Sequence, residues 1–107
     1  MPSVEGWHNF ELYATFFGQE TASAAWSQVE FTGINGDQFE AKCVRLKNTD
    51  LSDALYFSFD PRNVTSKQVH GILATGEEIM LRQKYASEVW VKRVGGSDAT
   101  VDIYAWR

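Results

Sequence analysis

Apolar and polar residues alternate with period two along most of this chain. Val44 and Leu46 point one way, while Lys42, Arg45 and Lys47 between and around them are polar. Leu55, Phe57 and Phe59 share a face, and Ile79 and Leu81 alternate with Met80 and Arg82. Val89 and Val91 alternate with Trp90 and Lys92, and Val101, Ile103 and Ala105 with Asp102, Tyr104 and Trp106. Period-two segments at short spacing, separated by turn residues, predict an all-β sandwich or barrel. The expected fold is a single-domain antiparallel β-sandwich, jelly-roll-like, of about 7–8 strands over residues 1–107.

The turn residues fall where this fold needs them. Asn35-Gly36 is a hairpin signal between Val29-Glu30-Phe31 and Phe39-Glu40-Ala41. Asp60-Pro61-Arg62-Asn63 closes a strand at 55–60, because proline has no N–H for a ladder. Thr75-Gly76-Glu77 turns the chain between 71–73 and 79–81, and Gly95-Gly96-Ser97-Asp98 joins the last two strands. Residues 1–25 read as an aromatic-rich arm or a first strand. Phe10, Leu12, Ala14 and Phe16 alternate as a strand would, whereas Phe10, Tyr13 and Phe17 also fit a helical face. The strand is favoured, with 19–25 as a loop or a single helical turn.

Alternation also leaves large rings on the outside. If Val89, Val91, Val101, Ile103 and Ala105 face the core, then Trp90, Tyr104 and Trp106 face away from it, and Tyr56 does the same opposite Leu55 and Phe57. With Trp7, Phe10, Tyr13 and Phe17 from the first segment, these rings form the candidate interface. Contiguous exposed apolar area marks an interaction site, and Tyr and Trp are favoured anchors in one. The competing reading makes the rings the core and puts the valines outside.

The net charge of −4 and a pI near 5.0 leave no broad basic face, so nucleic acid is not an expected partner. Cys43 is the single cysteine, which excludes an intrachain disulfide and a thiolate-only zinc site. Met1 to Trp7 has neither the basic nor the apolar region of a secretory signal, and no run approaches the ~20 apolar residues of a membrane span, so a soluble protein is expected.

Chemistry-bearing motifs are sparse. His8 and His70 are the histidines. There is no nucleophile elbow, no phosphate-cradling glycine loop and no His-Glu-x-x-His. Glu77 and Glu78 are neighbours and would point opposite ways on a strand. Asp50, Asp53 and Asp60 could supply oxygen ligands to a metal, but carboxylates that cap turns are the simpler reading. Asn63-Val64-Thr65 is formally a glycosylation acceptor, expected to go unused without a secretory signal. A non-enzyme with no cofactor and no metal is expected.

Residues 48–106 resemble a family of small phage virion proteins. The resemblance is carried by "VRLKNTDLSDALYFSFD" (44–60), "NVTS" (63–66), "GILATGEEIML" (71–81) and "EVWVKRVGGSDATVDIYAW" (88–106), and lies in the order and spacing of strands and turns. It implies a structural role in a bacteriophage virion. The leading form of that role is a capsid decoration or cement protein, assembled in the host cytoplasm, that binds and bridges major capsid protein subunits. Tail, neck or head-fibre placement is the alternative within the family, and a carbohydrate-binding β-sandwich the alternative outside it. A homo-oligomer, dimer or trimer, is expected because closed symmetry matches capsid axes.

Overall fold

The computed structural model describes residues 14–62 and 66–107. Eight strands run in the order β1 (Thr15–Ala22), β2 (Ser27–Glu30), β3 (Ala41–Asn48), β4 (Leu55–Ser58), β5 (Gly71–Leu73), β6 (Glu78–Ala86), β7 (Glu88–Arg93) and β8 (Ala99–Trp106). They form two four-stranded antiparallel sheets, β1-β8-β3-β6 and β2-β7-β4-β5. Every connection except β4–β5 crosses from one sheet to the other, which is the path of a jelly roll. The expected all-β sandwich is therefore the observed fold.

The inward positions are those the alternation assigns. Val44, Leu46, Leu55, Val89, Val91, Val101, Ile103 and Ala105 are fully buried, so the valines are core and the rings beside them are not. Each such branched side chain contributes roughly 1.5–3 kcal/mol on burial. β8 lies between β1 and β3, which ties the end of the chain into the sheet, and the Arg107 N–H donates to the Ala14 carbonyl at 3.0 Å. Phe16 faces inward, with its ring 5.8 Å from that of Phe31, as the strand reading of the first segment requires.

Four local expectations need correction. Residues 19–22 are not a loop or helical turn: β1 continues to Ala22, paired with Ala99. Gln19, Glu20 and Thr21 are polar because β1 is an edge strand with one side open to water, whereas Ala22 faces the core. The Asn35-Gly36 turn exists, with Gly36 at φ 85° and a Thr32–Gln38 bridge closing it. Its flanking strands separate into different sheets, however, because Phe31 and Phe39 both turn into the core. β4 stops at Ser58 rather than at residue 60, since the Ser58 hydroxyl and the Asp60 carboxylate capture backbone groups that a longer strand would leave to a ladder. In β6, Gln83 and Tyr85 adopt left-handed backbone (φ 56° and 53°). There three residues, 83–85, oppose Lys42 alone, a bulge that a plain alternating reading does not contain.

Among the described residues, the buried side-chain polar atoms all have hydrogen-bond partners. Asn48 is fully buried; its Nδ2 donates to the carbonyls of Asp53 (2.8 Å) and Leu73 (3.0 Å), and its Oδ1 accepts the Asp50 N–H (2.8 Å). Asn48 thus ties β3 to the β3–β4 connection and to β5 in the opposite sheet.

Candidate functional site: the outer face of the first sheet

The strand order divides the predicted rings between two surfaces. Phe17, Tyr104 and Trp106 lie on the outer face of β1-β8-β3-β6, whereas Tyr56 and Trp90 lie on the outer face of the second sheet. Trp7, Phe10, Tyr13, His8 and the Asn63-Val64-Thr65 acceptor fall outside the described residues.

On the first sheet, the register sets side chains in rows across the four strands. Tyr104 on β8 is flanked by Phe17 on β1 and Arg45 on β3, and Arg45 by Met80 on β6. One step along the strands, Trp106 is flanked by Thr15 and Cys43; one step the other way, Asp102 is flanked by Gln19 and Lys47, and Lys47 by Glu78. The rings touch: Phe17 and Tyr104 have centroids 5.7 Å apart, and Tyr104 meets Trp106 edge-on at 5.4 Å. Phe17 is 58% exposed, Met80 45% and Tyr104 40%, so this row of large apolar side chains stands in water.

Polar groups frame the rings. The Arg45 guanidinium pairs with the Glu78 carboxylate, its Nε 2.8 Å from Oε2, and the Gln19 Nε2 donates to the Asp102 Oδ1 at 2.9 Å. Two shallow hollows share Arg45 and Tyr104, one of about 190 Å³ reaching Phe17 and Asp102 and one of about 260 Å³ reaching Trp106. A flat aromatic strip between paired charges can bind by stacking and desolvation, and it places no acid or base against a nucleophile.

On the second sheet, Trp90 is covered by a cation of the same chain. The Trp90 indole N–H donates to Glu88 at 2.9 Å, and the Lys67 ammonium lies over its ring. Lys92 lies 5.9 Å from the Trp26 ring. The facing of Trp90 and Tyr56 follows the alternation. The covering of Trp90 does not, because Lys67 arrives from a loop that no periodicity describes.

The carboxylates suggested as metal ligands are engaged in turns. Asp60 Oδ1 accepts the Arg62 N–H (3.0 Å), and its Oδ2 accepts the Gln68 N–H (2.7 Å) and the Arg62 Nη2 (2.7 Å). The Arg62 guanidinium above all, then the Gln68 and Arg62 N–H groups, hold the Asp60 carboxyl far below the usual carboxylate range. The N–H groups of Ser52 and Asp53 likewise lower Asp50.

No protein-family model and no curated protein matches the chain. Solved structures do share its fold. A cupin-2 domain of an XRE family transcriptional regulator from Enterobacter cloacae is 9% identical with a TM-score of 0.52, over 89% of this chain and 83% of that one. Fe(II) HppE in complex with substrate is 7% identical with a TM-score of 0.51, over 87% of this chain and 47% of that one. The SPBc2 prophage-derived protein YomS is 18% identical over 87% of this chain and 95% of that one, with a TM-score of 0.46. These likenesses concern the fold alone.

The described residues bring no cluster of metal donors together. The space between the sheets is filled by Val, Leu, Ile, Phe and Ala, and among the described residues no group of three His, Cys, Asp or Glu could hold an ion. His70 is engaged elsewhere, its Nδ1 accepting the Phe59 N–H at 2.9 Å.

Proposed function

We propose that this chain is a non-catalytic adhesion protein of a bacteriophage virion, a decoration or cement protein of the capsid surface that binds the major capsid protein. One observation carries the adhesion reading: Phe17, Tyr104 and Trp106 form a contiguous outward strip, with Met80 beyond Arg45 in the same row, on a sheet whose interior is already filled. A lone molecule gains nothing from holding such a strip in water, and burying each ring against protein contributes roughly 1.5–3 kcal/mol. Weak contacts of this kind are multiplied when many copies sit on a repeating lattice. The virion setting rests on the resemblance of residues 48–106 to small phage virion proteins, and the balanced charges of the strip suit a protein partner better than a phosphate backbone.

Purified particles test this reading. A copy number in the hundreds per virion is expected for decoration, whereas six or twelve would assign the chain to the tail or neck. Tyr104→Ser should weaken particle binding about tenfold or more while leaving the melting temperature nearly unchanged. Equal losses in both would overturn the adhesion reading. Aromatic rings beside Asp102 and Gln19 also suit stacking on a sugar; glycan-array binding that Tyr104→Ser abolishes, with no binding to particles, would favour that second reading.

A further inference from the structure

The strip on the first sheet is complementary to itself. Its cross-strand neighbours on the two central strands are unlike pairs: Asp102 beside Lys47, and Tyr104 beside Arg45. Consider a second copy laid face to face, related by a twofold axis parallel to the strands and running between β8 and β3. This operation places β8 over β3 and β1 over β6. Asp102 of each copy then meets Lys47 of the other, and Tyr104 meets Arg45. Both appositions are attractive, one as an ion pair and one as a cation over a ring.

The outer strands agree with the same axis, although no intrachain pairing obliges them to. Phe17 on β1 meets Met80 on β6, an aromatic ring against a thioether, and these are the two most exposed apolar side chains of the strip. Glu78 meets Gln19, so no like charges are brought together. The strand axes of the two faces are aligned under this operation, with apposed strands antiparallel, as in the aligned packing of sheets.

We propose that the outer face of β1-β8-β3-β6, when free of the particle, takes a second copy of this chain through that twofold, so that the face-to-face dimer and the capsid compete for one strip. The inference rests on the reading that this strip is buried against protein. Four strands about 4.8 Å apart and some three rows deep give a footprint of roughly 400 Å² a side. That is about half the area of a standard interface, so dissociation is expected on the order of micromolar or weaker. The dimer therefore forms in concentrated solution and gives way where the capsid covers the strip.

Analytical ultracentrifugation of the purified full chain, from about 1 µM to about 1 mM, tests this directly. Reversible monomer–dimer exchange is expected. Lys47→Glu should weaken it about tenfold, by setting a second carboxylate against Asp102 of the other copy, and adding Asp102→Lys to that variant should restore it. A chain that stays monomeric throughout, forms trimers, or ignores Lys47→Glu overturns the inference. If the chain is monomeric while particles still bind it in a Tyr104-dependent way, the dimer falls and the adhesion reading stands. A dimer with charge-swap rescue, alongside no particle binding, means the reverse.

Discussion

The Lys67 ammonium lies 3.6 Å from the centroid of the Trp90 ring. It also donates to the carbonyl oxygens of Asp60 and, at 2.7 Å, Arg62, and the side chain is almost wholly buried. One lysine thus fastens the loop after β4 to the outer face of the second sheet. Trp90 is the surface of a latch, although alternation alone makes it look like a docking ring. Trp90→Ala should lower stability by about 2–3 kcal/mol in denaturant titrations and leave binding per folded molecule unchanged. Lys67→Met should cost about 1–3 kcal/mol, because two carbonyls lose their donor.

The same loop gives the protein an acid limit. Asp60 is held far below the usual carboxylate range by Arg62 and by the N–H groups of Gln68 and Arg62. Its folded pKa lies below its unfolded one, so its stabilisation is complete above the unfolded value near 4 and is lost as pH falls towards the folded value. Melting temperature measured from pH 7 downward should begin to fall below about pH 4. Asp60→Asn should be less stable than wild type at neutral pH and should show a shallower fall in acid.

Asn48 is the buried polar node between the sheets. Replacing it with Leu removes three side-chain hydrogen bonds and strands the carbonyls of Asp53 and Leu73 and the N–H of Asp50. A loss of about 3 kcal/mol is expected from chemical denaturation. Asn48→Asp should do no better, because a carboxylate cannot donate to those carbonyls.

Gly71 opens β5 beneath the Phe57 ring, where an added Cβ would come within 2.6 Å of the Phe57 Cζ. Gly71→Ala should therefore cost about 1–3 kcal/mol. Combining it with Phe57→Leu should cost less than the sum of the two changes, because both act on the same space.

The central strands were legible because each buries one face against the core and exposes the other. Val101, Ile103 and Ala105 announce β8, and Val89 and Val91 announce β7, from a two-residue period alone. Edge strands announce themselves less well: Gln19, Glu20 and Thr21 look like loop because β1 has water on its open side. The bulge at Gln83 and Tyr85 is a backbone event with no periodic signature. Outward facing of the rings could be read residue by residue, but their partition could not. Phe17 meets Tyr104 because β1 pairs with β8, a contact between opposite ends of the chain. Arg45 and Lys47 were visible as polar positions; only the strand order makes them neighbours of those rings.

Ser87 alone separates the end of β6 in one sheet from the start of β7 in the other. Its carbonyl accepts both the Phe31 N–H at 2.9 Å and the Gln38 side-chain amide at 3.0 Å. At this corner a single residue joins the two layers. Load applied to one sheet therefore reaches the other through a one-residue link that is itself held by hydrogen bonds from the β2–β3 connection.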